Sequence, residues 1–153
     1  MQIRAARVSD VPEINKLINF YAEHSKMLFR SKADIYEKLQ SFIVAEDAGQ
    51  LTGCCALQVV WSDLAEIKSL AVRQESLGRG IGRLLVQKAA ESAAVMGISR
   101  IFALTLEPEF FSRLGFSLVE KDSLPMKVWS DCARCPKQDS CDEIAVIKNI
   151  VLI

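Results

Sequence analysis

The chain has 153 residues, half of them hydrophobic and a quarter charged, with 19 basic and 19 acidic side chains that cancel. Its length suits one domain, 1–153, and its apolar share suffices for a core without staples; the zero balance argues against a nucleic-acid binder and against disorder. The apolar runs fall short of the roughly 20 residues of a membrane helix, and Met1-Gln2-Ile3-Arg4 does not open a secretory leader, so a cytoplasmic, non-membrane protein is expected.

Ile3–Ala5 reads as a short strand, and Ser9-Asp10 as a helix start with Pro12 in the first turn, where its missing N–H costs nothing. Val11, Ile14, Leu17, Ile18 and Tyr21 keep helical spacing until His24-Ser25. The connector Met27-Leu28-Phe29-Arg30-Ser31 leads to a second helix, Lys32–Ser41, capped by Ser31. Phe42–Glu46 and Leu51–Trp61 flank the turn Asp47-Ala48-Gly49-Gln50 as a hairpin, and Leu64–Val72 follows as a strand. A long helix starts at Gly80 and ends at Gly97, with Ile81, Leu84, Leu85, Lys88, Ala89, Ser92 and Ala93 marking one face. Ile98–Thr105 is a strand, Pro108–Leu114 a short helix ended by Gly115, and Phe116–Glu120 and Ile144–Ile150 are the last strands. The order β-α-α-β-β-β-α-β-α-β-β predicts a mixed α/β domain.

The most informative unit is Leu77-Gly78-Arg79-Gly80-Ile81-Gly82, which joins the strand before it to the long helix. Glycines let backbone N–H groups approach a ligand closely, and a helix N-terminus adds unpaired donors and a favourable dipole. Together they suit a pyrophosphate, with Arg79 adding charge. The spacing is neither a dinucleotide fingerprint nor a P-loop. Taken by themselves, these glycines fit a well-made helix start equally well.

The strand, the loop and the later Phe110-Phe111-Ser112-Arg113-Leu114-Gly115-Phe116 resemble the GNAT superfamily of acyl-CoA N-acyltransferases over nearly the whole chain. The resemblance implies a central, mostly antiparallel twisted sheet flanked by about four helices, with acetyl-CoA as co-substrate. The residues it implies for acetyl-CoA are Ile67, Ser69, Leu70, Ala71 and Val72 for the thioester arm, then Leu77, Gly78, Arg79, Gly80, Ile81 and Gly82 for the pyrophosphate. Leu77 departs from the arginine or glutamine common at its position, which leaves the grip to the backbone.

An amine must lose a proton before it attacks a thioester, and Glu66 stands where many family members carry the base. The bland alternative is a solvated carboxylate at a strand edge. Main-chain N–H groups near Ser69-Leu70 are the expected oxyanion donors. Where the family usually has an acidic tyrosine this chain has Phe111, and Ser112 is the nearest hydroxyl; it is equally an ordinary helix residue. His24, the lone histidine, is given no catalytic role.

Met27 to Ser31, Gly53 to Leu57, Ala65 to Val72, Phe102 to Thr105, and Phe110 to Phe116 followed by Leu124-Pro125, resemble a narrower group: short N-acetylglutamate synthases without a kinase-like domain, which begin arginine biosynthesis. That implies L-glutamate as acceptor. Two carboxylates call for cations, and Arg30, Lys68 and Lys127 are the candidates. For Arg30 and Lys127 the competing reading is a solvated charge. Rival functions are a GNAT enzyme acting on another small amine or a protein amino group, and a silent acyl-CoA sensor. Cys132, Cys135 and Cys141 offer three sulfurs for zinc without an assigned fourth ligand, a redox pair, or simply reduced thiols beside Trp129. Cys54 and Cys55 read as small buried residues. A homodimer is a further expectation, with the apolar tail Ile144–Ile153 as its edge.

Overall fold

The computed structural model describes residues 1–124 and 143–151. The elements run β1 (Gln2–Ala5), α1 (Val11–Glu23), α2 (Lys32–Glu37), β2 (Phe42–Asp47), β3 (Gln50–Trp61), β4 (Leu64–Val72), α3 (Ile81–Val95), β5 (Arg100–Thr105), α4 (Pro108–Ser112), β6 (Ser117–Leu118) and β7 (Ile144–Asn149). Hydrogen-bonded neighbours follow the order β1-β2-β3-β4-β5-β7-β6. The pairs β1–β2, β2–β3, β5–β7 and β6–β7 are antiparallel, and β4–β5 is parallel. This is the mixed sheet with about four helices that the sequence predicts.

The chain divides into two compact units, Met1–Leu57 with Ile67–Ser92, and Gln58–Glu66 with Ala93–Ile153. In the first, α1 buries Val11, Ile14, Leu17, Ile18 and Ala22. They pack with Ile35, Phe42, Val44, Cys54, Ala56 and Ala71 in one apolar cluster. The i, i+3, i+4 spacing of α1 is thus what aims its stripe at the sheet. Ser31 caps α2 as expected, its Oγ accepting from the Asp34 N–H at 3.0 Å. The β2–β3 hairpin turns through Ala48 and Gly49, both in the left-handed region at φ 52° and 79°, the geometry that matches strand twist.

In the second unit Leu64, Phe102, Leu124 and Ala145 form the core cluster. Lys148 Nζ donates to the Leu114 carbonyl at 2.8 Å and lies over the Phe116 ring, which ties the end of α4 to β7.

Four expectations are corrected. Asp10 does precede the first residue of α1, as read, but it does not cap the helix through its side chain; its carboxylate accepts from the Arg4 guanidinium at 2.8 and 3.0 Å and from the Arg7 N–H at 2.7 Å. On α3, Lys88 is exposed and Val86 is buried, because the sheet-facing stripe runs Ile81, Leu85, Ala89, Ala93. The strand after Gly115 shrinks to Ser117–Leu118. Finally, within Ile144–Ile153 the strand β7 is not a free edge along its whole length: β5 pairs with it on one side, and on the other Val146 and Ile147 pair with Leu118 and Ser117 of β6.

Candidate active site

The glycine loop begins after a single 3-10 turn, Gln74–Ser76, with Leu77 extended and exposed. Gly78 and Gly80 adopt φ 82° and 79°, a region that a side chain would strain. These two reversals deliver the chain to α3 so that the amides of Ile81, Gly82 and Arg83 open the helix, where no preceding carbonyl can satisfy them. A Cβ at Gly80 would lie 3.5 Å from Arg83 Nη2. Arg83 therefore sets a cation against the loop besides Arg79. Sequence reasoning missed it, because at its position it looks like a solvated helix charge.

The exit of β4 is fixed from two sides. Tyr21 Oη donates to the Val72 carbonyl, and the Arg73 N–H donates to Thr52 O at 2.8 Å. Burial, and then the Glu75 carboxylate, push the Tyr21 phenol above its ordinary pKa, so it remains a protonated donor.

Within β4, Ser69 is left-handed at φ 54°. Such a residue in a strand turns the peptide that follows it. Ser69 Oγ accepts from Arg30 Nε at 2.9 Å, and Ser69 O accepts a weak bond from Cys54 Sγ at 3.5 Å. Arg30 is also paired through Nη1 with Asp34 at 2.7 Å, its side chain only 9% exposed, and its guanidinium lies 5.4 Å from the Phe42 ring centroid. The Arg30 main chain is clasped by α1: Asn15 Nδ2 and Asn19 Nδ2 donate to its carbonyl at 2.8 and 3.2 Å, and its N–H donates to Asn19 Oδ1 at 3.1 Å. Arg30 is thus no solvated charge. Burial works to raise the Asp34 pKa, but the hydrogen bond from Lys38 and the nearby Arg30 charge outweigh it and hold the carboxyl below its ordinary value. Asn15 and Asn19 were not foreseen, since polar residues beside an apolar helical stripe look like a wet flank.

Lys68 is half-buried on β4. Glu66 is 7% exposed and sits opposite Phe102 in the parallel ladder. The reading of Glu66 as a solvated edge carboxylate is therefore overturned. Ser112 is exposed at the end of α4. Phe111 is buried and meets Phe110 and Phe116 edge-on, with centroids 5.0 and 5.1 Å apart; it packs where a tyrosine was looked for. His24 Nδ1 lies 2.7 Å from Phe20 O at the end of α1. Cys54 and Cys55 are fully buried, and burial pushes the Cys54 thiol up to about 12. Lys127, Trp129, Cys132, Cys135 and Cys141 lie outside the described residues. Among the described residues no helix is long and apolar enough to cross a membrane.

A strand running into a glycine loop at a helix start, with a parallel neighbour strand, makes an anion site at the exit of β4. Residues 9–116 match the model of the acetyltransferase (GNAT) family. The chain is 44% identical over 148 residues to an uncharacterized N-acetyltransferase of Chlorobaculum tepidum, covering 97% of this chain and 96% of that one. It is 39% identical over 135 residues to an amino-acid acetyltransferase of Mycobacterium tuberculosis, covering 86% and 77%. It superposes with a TM-score of 0.90 and 30% identity on the N-acetylglutamate synthase from Neisseria gonorrhoeae solved with coenzyme A and N-acetyl-glutamate. That match covers 98% of this chain and 35% of the synthase. The chain belongs to the GNAT acetyltransferase family. It is an acetyl-CoA-dependent N-acetyltransferase.

Proposed function

We propose that the chain transfers the acetyl group of acetyl-CoA to the α-amino group of L-glutamate. The observation that carries this reading is Arg30. An arginine 9% exposed, with its main chain clasped by Asn15 and Asn19 and its head by Asp34, Ser69 and Phe42, is a preorganised cation. A preorganised cation spends little entropy in gripping a carboxylate. Half-buried Lys68, on the same strand as Ser69, supplies a second charge, and Lys127 is the third candidate. The likeness to an amino-acid acetyltransferase and to an N-acetylglutamate synthase supports the same acceptor.

In this reading the amides opening α3, with Arg79 and Arg83 nearby, hold the pyrophosphate of acetyl-CoA. The β4 segment from Ile67 to Val72 receives the thioester arm. Glu66 takes a proton from the glutamate ammonium, directly or through a water, and the free amine attacks the thioester carbonyl. A main-chain N–H near Ser69-Leu70 stabilises the oxyanion. Collapse of the intermediate breaks the C–S bond and expels the coenzyme A thiolate, which takes up the second proton that the attacking nitrogen sheds, relayed by solvent or by the Ser112 hydroxyl. A thiol of ordinary acidity, near pKa ~8.5, leaves without a strong acid, which fits a phenylalanine at position 111.

The test is thiol release from acetyl-CoA across a panel of free amino acids, polyamines and peptide N-termini. Glutamate is expected to give the highest kcat/KM, and Arg30→Gln to raise its KM. Preferred turnover of an uncharged amine or a peptide would overturn the acceptor assignment.

A further inference from the structure

Arg30 holds a strand as well as a charge. Ser69 keeps a left-handed backbone at φ 54° inside β4, a conformation a side-chain-bearing residue adopts only when its surroundings impose it. One imposing contact is the bond from Arg30 Nε to Ser69 Oγ at 2.9 Å. Behind it stands a chain of anchors. Asn15 and Asn19 fix the Arg30 main chain, and Asp34 fixes its Nη1. Asp34 is itself set by the Ser31 cap and by Lys38 at 3.2 Å. An arginine kept only to capture a substrate carboxylate does not need its Nε spent on a strand hydroxyl.

We propose that Arg30 is a positioning residue for the thioester: through Ser69 it holds the β4 kink that turns the Leu70 N–H toward the carbonyl oxygen of acetyl-CoA. This rests on the acetyl-CoA part of the proposed reaction and is independent of the acceptor. Carbonyl polarisation and acceptor recognition are then linked through a single side chain, with Asn15 and Asn19 as the fixed end of the lever.

The reasoning singles out glycine as the diagnostic substituent. Ser69→Ala removes the hydroxyl but keeps a Cβ that disfavours the kink. Ser69→Gly removes both, and glycine adopts the kink unaided. The experiment is difference infrared spectroscopy of acetyl-CoA labelled with 13C at the thioester carbonyl, bound without any acceptor. It compares the wild type, Arg30→Gln, Ser69→Ala, Ser69→Gly and the Arg30→Gln/Ser69→Gly double variant. Wild-type protein is expected to shift the carbonyl stretch to lower frequency. Arg30→Gln and Ser69→Ala should lose most of that shift and lower kcat about tenfold or more. Ser69→Gly should retain more of the shift than Ser69→Ala, and the double variant should recover what Arg30→Gln lost. Equal loss in Ser69→Ala and Ser69→Gly, or no recovery in the double variant, would overturn the proposal. Should Arg30→Gln fail to fold, the contrast between alanine and glycine at position 69 decides alone. If the infrared pattern holds while glutamate is not acetylated, the acceptor assignment falls and this inference stands.

Discussion

Replacing Gly53 by alanine is expected to weaken acetyl-CoA binding from outside the cofactor loop, by pushing on Ile81 at its end. Gly53 lies buried on β3, and an added Cβ would sit 3.0 Å from Leu85 Cδ1, 3.1 Å from Ile81 Cγ2 and 3.2 Å from the Ala71 carbonyl oxygen. All three are closer than the ~3.5–4.0 Å of comfortable contact. Leu85 and Ile81 are themselves buried, so neither methyl can swing into solvent, and the Ala71 oxygen belongs to the main chain of β4. The helix start or the strand must move. Overpacking of this kind costs about 1–3 kcal/mol, which for a chain of this size lowers Tm by about 2–12 °C. Because Ile81 is the first residue of α3, the displacement falls on the amides proposed to hold the pyrophosphate, and acetyl-CoA affinity should drop about threefold to tenfold. Gly49→Ala is the control. Nothing lies within 4 Å of a Cβ there, but φ is 79°, so it costs about 1–2 kcal/mol of backbone strain alone. Thermal melts followed by circular dichroism and calorimetric titration with acetyl-CoA separate the two. An unchanged affinity in Gly53→Ala, or an equal loss in Gly49→Ala, would refute the reasoning.

Glu66→Gln should slow turnover by about 10²–10⁴-fold while acetyl-CoA affinity stays as it was; loss of affinity in parallel would make Glu66 a structural group instead. Ser31→Ala removes the α2 cap at about 1 kcal/mol, seen as a fall of about 2–4 °C in Tm. Asp10 gives a pH test. The hydrogen bond from Arg4 chiefly, opposed by burial and aided by the Arg7 N–H, lowers its pKa. A carboxyl lowered on folding stabilises above its unfolded value of ~3.9 and loses that contribution as pH falls through the folded value. Asp10→Asn should therefore cost about 1.5–3 kcal/mol at neutral pH and progressively less in acid, as pH falls below ~3.9 toward the lowered folded value. Urea titrations at both pH values check it, and a gap that stays constant contradicts the ion-pair account.

The parts of the fold written in local pattern were readable in advance. β4 begins and ends where its apolar run does, at Leu64 and Val72, and Ser31 caps the helix it precedes. The glycine loop announced itself by residue type, because few positions demand glycine so closely spaced. What escaped depends on partners that the local pattern does not show. Nothing next to Ser69 marks it for a left-handed backbone; the reason stands 39 residues earlier, at Arg30. Asp10 has the right chemistry for a cap, but Arg4 on β1 competes for its oxygens and wins with a charge-assisted pair. The apolar alternation of Ile144–Asn149 is the same for an edge strand as for an inner one, and only the pairing with β6 decides. Glu66 shows the same limit: a carboxylate in a strand looks exposed until the neighbouring strand β5 pairs beside it and the fold buries it.

Cys54 has a consequence for the durability of the protein. Its sulfur reaches the Ser69 carbonyl, so a thiol touches the strand read as the seat of a thioester. A thiolate there would be a competing nucleophile, able to take the acetyl group by exchange and leave the protein acylated on itself. With its pKa pushed up to about 12 by burial, the sulfur stays a thiol at neutral pH. On the proposed seating of the thioester along β4, the apolar cluster that Cys54 shares with Ile18, Val44 and Ala56 guards against self-acylation as well as filling space.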